Sequence, residues 1–455
     1  MTGRNKLNIY YFIDLAISVR YSLYLPMEFP STRQLLSEFV GMESHSLEGQ
    51  RQKANALYSF IYNSDISDGV RLVEYLQTGQ DSRLHPPQAN VVFDIKGPPG
   101  SDTILWLGHY DTVSPKHYAS GENPYQLTPD RVRPSVYHGL GTYDMLGGVV
   151  SFLVAAHRIC AERSNLRHNI RCLLVGLEEK QSQGIHAALN SPDNIVGDIN
   201  CCVSTDIPAY ASLDDSPALC IGRPGRTGLR ITVEGTQMHA GQYRDEKFSE
   251  LVSTRTGLCM LHLPKIRFPE CQEPHFRELM PPSICTLANW YSENPGSLSV
   301  PHRAHIDVNV LYSNPALDDV DISEHVRKEL AMLLAREGIY DEKAVSVMLE
   351  PGRVTPFTRP YLEQPDHPFV QTTLGLMRRH FGQAVSIKAA SGTADEPIIA
   401  NSRHVPTVII PPRGQNEHVP GECVDIDSIE HQIVPTLVDM AFLDQPFRYK
   451  KQLHS

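Results

Sequence analysis

The sequence predicts an α/β protein, a mostly parallel sheet covered by helices with a ferredoxin-like α+β unit inserted into it. Three observations point there. Short apolar strands alternate with helical stretches between Ala89 and Ser204, and such alternation builds parallel sheets buried on both faces. From Gly222 the order becomes strand, helix, two strands, helix, strand, which is that of the ferredoxin-like unit. After Pro365 the first pattern resumes. A chain of 455 residues has length for two such compact units, since domains run to about 100 to 200 residues.

Taken in order, Arg4 and Lys6 precede the apolar run Leu7 to Val19, which Asp14 interrupts and Arg20 ends. It is too short to span a membrane and poor as a signal-peptide core, so residues 1–29 read as an N-terminal extension. From Pro30 to about Leu76 the spacing of Leu35, Leu36, Phe39, Ala54, Leu57 and Ile61 is helical. Ala89 to Ile95, Thr103 to Leu107, Ile170 to Leu177 and Cys201 to Ser204 read as strands, and Met145 to Cys160 as a helix. These complete a first segment over 30–221. The inserted unit, 222–350, has strands at Leu229 to Val233, Ser283 to Trp290, His305 to Tyr312 and Ala344 to Leu349, with helices around Lys247 to Leu261 and Ile322 to Arg336. The closing segment, 351–455, contributes helix Pro368 to Phe381, strands Val385 to Lys388 and Val405 to Ile410, and helix Ile426 to Phe442. Gly222 to Gly228 and Pro351 to Pro365 carry the Gly and Pro expected of two crossings between units.

Composition narrows the function. With 41% hydrophobic and 20% charged residues and a net charge of -11, the chain has no electrostatic attraction for nucleic acid or anionic membrane. Small molecules or peptides suit it better. Nine scattered cysteines show neither a disulfide framework nor zinc-knuckle spacing, so they read as reduced thiols in a cytoplasmic protein.

Five segments carry candidate chemistry. The apolar run Leu105-Trp106-Leu107-Gly108 ends in His109-Tyr110-Asp111. Open sheets gather ligands at the carboxyl ends of their strands, and a carboxylate at Asp111 could fix the tautomer of His109. Asp144 lies in the glycine-rich segment Gly139 to Gly148 before an apolar helix; an N-cap is the plain explanation, but glycines on both sides allow a closer backbone approach than a cap requires. Glu178 and Glu179 end the strand Leu173 to Leu177, where adjacent side chains of an extended segment point to opposite sides. Asp206 follows Cys201 to Ser204, and His418 sits in the loop Gly414 to Glu422. Two histidines and three carboxylates after apolar strands, with one carboxylate spare, make a two-metal hydrolytic donor set suited to zinc, cobalt or manganese.

This ordered set resembles the aminoacylase/carboxypeptidase family of co-catalytic zinc hydrolases, which includes acetylornithine deacetylase and succinyl-diaminopimelate desuccinylase, from about Thr32 to the C-terminus. The resemblance implies a zinc-hydrolase catalytic domain with an inserted lid, and two divalent metal ions: His109 and Asp206 on one, Glu179 and His418 on the other, Asp144 between them. It makes Glu178 the general base and Asp111 the carboxylate that orients His109. His239 matches a lid histidine that stabilises the oxyanion, often in the partner subunit's site, and Thr393 and Asp395 match a loop lying against bound substrate. A homodimer through the lid follows from the same resemblance. The usual substrate-recognition signatures, Asn-x-x-Pro and Asp-x-Arg, are missing: the corresponding segments are Leu298 to Pro301 and Asn309 to Leu311. Arg223, Arg226, Arg303, Arg353 and Arg413 are then the candidates for a carboxylate contact, while Leu146 and Lys180 replace commoner residues without removing a metal ligand. The expected reaction is hydrolysis of an N-acyl amino acid or a short peptide, as deacylase or as dipeptidase or carboxypeptidase. A metal-stabilised binding protein without turnover is the alternative of another class.

Overall fold

The computed structural model describes residues 29–76, 87–209, 212–293, 296, 298–339, 343–445 and 447. The N-terminal extension, all but its last residue, lies outside them.

The larger sheet has eight strands, in the order Gly69–Tyr75, Gln88–Ile95, Asn169–Val175, Thr103–His109, Cys201–Ser204, Thr407–Ile409, Ala218–Cys220 and Ser386–Lys388. Its centre, from Asn169–Val175 to Thr407–Ile409, is parallel, whereas the first two strands and the contact of Ile409 with Cys220 are antiparallel. Period-two alternation makes each central strand buried on both faces. Ile104 and Trp106 enter one core with the helix Gly147–Ala161, where Trp106 stacks on Phe152 at 5.3 Å. Leu105 and Leu107 enter the other with Leu173, Val175, Ile185 and Ile399, under the helices Gln183–Leu189 and Glu396–Arg403. The run Thr142–Ala161 is long and apolar enough to cross a membrane, but 78% of its most apolar 18 residues are buried inside the protein, where the helix Gly147–Ala161 sits in the core.

The expected helical stretch to Leu76 needs correction. It is two helices, Thr32–Val40 and Leu47–Asn63, followed by the edge strand Gly69–Tyr75. Ser31 starts the first with a capping box closed by Gln34. The edge strand packs one partner only and is half exposed throughout, so its residues carry no clean alternation.

The inserted unit forms a separate four-stranded antiparallel sheet, ordered Ile284–Glu293, Arg303–Tyr312, Gly225–Glu234, Val345–Leu349, the strand order of a ferredoxin-like unit. Ala304, Ile306, Val308 and Val310 face one side and meet Ile322, Val326, Leu330 and Leu334, which recur every four residues along the helix Asp319–Arg336. Its first helix starts later than expected, at Val252, because Asp245–Glu250 is a 3-10 turn. The two crossings lie side by side: Gly222–Arg223 pairs antiparallel with Tyr361–Leu362.

Candidate metal and catalytic site

Three parallel neighbours, Asn169–Val175, Thr103–His109 and Cys201–Ser204, end at one edge of the sheet and deliver Glu178 and Glu179, His109 and Asp206 there. His418 arrives by another route. Its loop joins Gly414–Gln415 to Cys423–Asp425, and the latter strand pairs with Val136–His138 just before the Asp144 segment. Asp144 follows Gly141, which is left-handed at φ 79, and a Cβ on Gly148 would come within 2.6 Å of the Thr205 carbonyl. Only glycine permits that approach. Glu178 and Glu179 are not extended, as the sequence suggested: Leu177 turns the chain at φ 59, and Gln181 and Ser182 are also left-handed. Such backbone costs free energy and collects at functional sites.

The donors converge. His109 Nε2 lies 3.0 Å from Asp144 Oδ1, and His418 Nε2 lies 3.0 Å from Asp144 Oδ2 and 3.1 Å from Glu179 Oε1. His109, Asp144 and Asp206 form one group and Asp144, Glu179 and His418 a second, each with ligand atoms within 4.8 Å of one another. Asp144 belongs to both. The other nitrogen of His109 faces the Asp111 backbone carbonyl at 3.1 Å and the Asp111 carboxylate at 3.6 Å, which leaves Nε2 free for a metal. Asp111 also accepts the amide protons of Glu178 and Glu179, at 3.1 and 3.3 Å, so one carboxylate sets both the histidine and the paired glutamates.

Charge follows from this crowding. Burial and then the neighbouring carboxylates Asp395, Glu179 and Asp206 push Glu178 well above the usual carboxyl range, with His109 opposing them. Asp206 is pushed up to about 7, chiefly by burial. Burial raises Asp144 less than its bonds to His109 and His418 lower it, so it stays ionised. Burial works against charged His418, but Asp144 and Glu179 raise it to about 12. So many buried carboxylates around two imidazoles need added positive charge, and oxygen and imidazole donors in two groups fit a pair of zinc-type ions.

Thr393 lines the cleft beside Glu178, Glu179 and His418, and its hydroxyl has no partner among the described residues. Asp395 lies beneath that wall, 5% exposed, its carboxyl pushed up to about 8 by burial. His239 is exposed and outside this cleft, and its Nδ1 accepts the Gly241 amide proton at 3.1 Å. Of the five candidate arginines, Arg226 and Arg353 line the cleft. Arg303 pairs with Glu234, and Arg413 donates to the Leu213 carbonyl.

The fifth candidate arginine, Arg223, holds a ligand candidate rather than lining the cleft, and one residue, Glu422, escaped the sequence reading. Arg223 is buried and binds Asp206 Oδ2 at 2.9 Å and Glu396 at 2.8 Å, fixing the outer oxygen of a candidate ligand. Glu422 is buried and accepts the amide protons of Gly141, Tyr143 and Asp144 at 2.9, 2.9 and 3.0 Å, holding the Asp144 turn in place. Its place in the His418 loop was a visible signal, since a carboxylate four residues from a ligand is well placed to brace the site. Glu422→Ala strands three donors, and at about 1 to 3 kcal/mol for a buried unsatisfied group the expected loss is on the order of 3 kcal/mol, read as a lower Tm together with weaker metal binding. A wild-type Tm and metal affinity would remove Glu422 from this role.

The sequence pattern of peptidase family M20/M25/M40 matches residues 105–434. The chain belongs to that family. It is a hydrolase of amide or peptide bonds, and its relatives agree. A succinyl-diaminopimelate desuccinylase of Stenotrophomonas maltophilia (strain R551-3) is 24% identical over 333 residues, 73% of this chain and 81% of the relative. Human carnosine dipeptidase 1 shares the fold at TM-score 0.68 and 16% identity, over 90% of this chain and 96% of that one. An M20 family metallo-carboxypeptidase from Sulfolobus solfataricus does so at TM-score 0.65 and 16% identity, over 91% and 99%. The M20 fold thus accounts for both sheets and for the cleft at their junction.

Proposed function

We propose that this M20 enzyme hydrolyses the amide bond of a small N-acyl amino acid or short peptide, with His109 and Asp206 on one metal, Glu179 and His418 on the other and Asp144 between. The observation that carries the reading is the shared position of Asp144, whose two oxygens face the two histidines at 3.0 Å each. Two divalent ions, zinc or else cobalt or manganese, supply an acidified water and a polarised carbonyl when bound. Glu178, at the cleft wall and held by Asp111 through its amide, takes one proton of the attacking water and passes it to the leaving nitrogen. The C–N bond breaks, a C–O bond forms, and a carboxylic acid and an amine leave. Thr393 contacts substrate, Asp395 supports the loop from beneath, and Asp111 keeps His109 in its ligating tautomer.

The test is turnover of N-acyl amino acids and dipeptides by protein stripped of metal and reconstituted with zinc, cobalt or manganese. Activity that appears with metal and vanishes with chelator supports the reading. Tight metal binding without turnover on any amide would favour the binding-protein alternative.

The inserted unit acts in this proposal as a lid and a homodimer surface. Ile284–Glu293 is an edge strand with Ile284, Leu287, Trp290 and Tyr291 exposed at 42, 47, 53 and 41%, the kind of unpaired apolar edge that a second copy covers. Across such a two-fold axis His239 would reach the partner's cleft and hold the oxyanion there. Mixing inactive Glu178→Gln with inactive His239→Ala is then expected to restore about a quarter of the wild-type rate, because random exchange leaves one intact site in half of the dimers. Proven subunit exchange without recovery, or a monomer in solution, would end this assignment of His239.

A further inference from the structure

Lys53 is 1% exposed, and a lysine is seldom buried so fully without an acid partner. Among the described residues its Nζ makes one hydrogen bond, donated to Ser44 Oγ at 2.8 Å. Burial pulls the ammonium down to about 7, while Asp111 and then Glu43 draw its proton back. Such burial costs stability, and an apolar side chain of similar volume would fill the space without that cost. The surroundings of Lys53 point to the metal site.

Gln50 and Lys53 stand three residues apart on one face of the helix Leu47–Asn63, and that face meets the two segments that carry the site. Gln50, 0% exposed, accepts the amide proton of Leu177 at 3.1 Å, the residue whose left-handed turn presents Glu178 and Glu179. Lys53 reaches the other segment. Ser44 Oγ, which accepts from Lys53, lies 3.3 Å from Thr112 Oγ1, and the Ser44 carbonyl accepts the Thr112 amide proton at 3.5 Å. Thr112 follows Asp111 directly. Asp111 itself is 0% exposed; it accepts the amide protons of Glu178 and Glu179, and His109 Nδ1 lies 3.6 Å from its carboxylate. A carboxylate shut away from water needs fixed donors and nearby positive charge, and Lys53 supplies such charge within electrostatic reach.

We propose that Lys53 is a positioning residue for the metal site, its ammonium and the link through Ser44 and Thr112 holding Asp111 where it orients His109 and the Glu178-Glu179 turn. The inference rests on the two-metal reading given above and extends it to a residue outside both ligand groups.

The experiment measures zinc Kd, by competition with a chelating dye, for the wild type, Lys53→Met, Asp111→Asn and the double variant. Lys53→Met keeps the length of the side chain and removes the charge. Its zinc Kd should rise about 10-fold, the lower end of what losing a partner behind a metal-bound histidine costs. At saturating zinc its kcat should fall about 10-fold, within the range for a displaced catalytic group, with KM within a few-fold. Asp111→Asn should weaken zinc at least as much, and Lys53→Met added to it should change Kd by less than about two-fold, because residues that act through one another are not additive. Ser44→Ala, which removes the hydrogen bond of Nζ, takes the place of Lys53→Met in the same cycle should that variant not fold. A folded Lys53→Met protein with the wild-type zinc Kd, or a full extra loss on top of Asp111→Asn as a merely structural role would give, overturns the positioning role. Zinc Kd requires no turnover, which keeps the two readings apart. Coupled Kd values in a protein that cleaves no amide would sink the hydrolase reading alone; metal-dependent turnover with additive Kd values would sink the role of Lys53 alone.

Discussion

Glu178→Gln is expected to lower kcat by about 10² to 10⁴-fold, the usual contribution of a positioned proton carrier, with metal content and Tm unchanged. The amide keeps the shape of the carboxyl, and the Glu178 main chain stays bonded to Asp111, so neither the turn at Leu177 nor the neighbouring Glu179 is disturbed. What disappears is the group that accepts a proton. Burial and three nearby carboxylates raise Glu178 well above its ordinary range, which brings a carboxyl closer to the operating pH than an exposed one would be. Steady-state kinetics with metal analysis decides the matter. A folded, metal-loaded Glu178→Gln protein turning over at the wild-type rate would remove Glu178 from the chemistry.

Asp144→Ala is expected to abolish turnover by removing both metals at once. His418→Ala should remove one and weaken the other, because His418 sits in the second group alone whereas Asp144 sits in both. The fold should survive in each case, since the cores on the two faces of the sheet do not depend on the site. Metal that binds only the native state raises Tm, so chelator should lower the Tm of the wild type and leave that of Asp144→Ala unchanged. Two tightly held ions per chain in Asp144→Ala would show that Asp144 is no ligand.

His109, Glu179 and Asp206 were legible because each follows an apolar strand of the parallel centre, and strand ends are where such sheets place their sites, whereas Asp144 and His418 were legible only from the glycine-rich segment and the loop that carry them. His109 and Asp206 could be picked out from a run of four to six residues each. The partners that hold them could not. Glu422 meets Asp144 across 278 residues and Arg223 meets Glu396 across 173, distances over which sequence periodicity carries no information. The strand Gly69–Tyr75 was hidden for a local reason: as a half-exposed edge it has no apolar alternation to read. The Glu178-Glu179 pair was found for its position but misread for its geometry, since the left-handed Leu177 has a side chain that gives no warning of it. Arg226 and Arg353 were two names among five until the sheet register placed Arg226 opposite Leu311, two residues from Asn309, and the second crossing brought Arg353 beside them.

We propose that two metal ions share Asp144 at the end of this sheet. Anomalous diffraction from crystals of the zinc-loaded protein tests it most directly. Two zinc peaks per chain are expected, one among His109, Asp144 and Asp206 and one among Asp144, Glu179 and His418; a zinc-saturated crystal with its peaks elsewhere, or with none at Asp144, would show that the shared site is wrong.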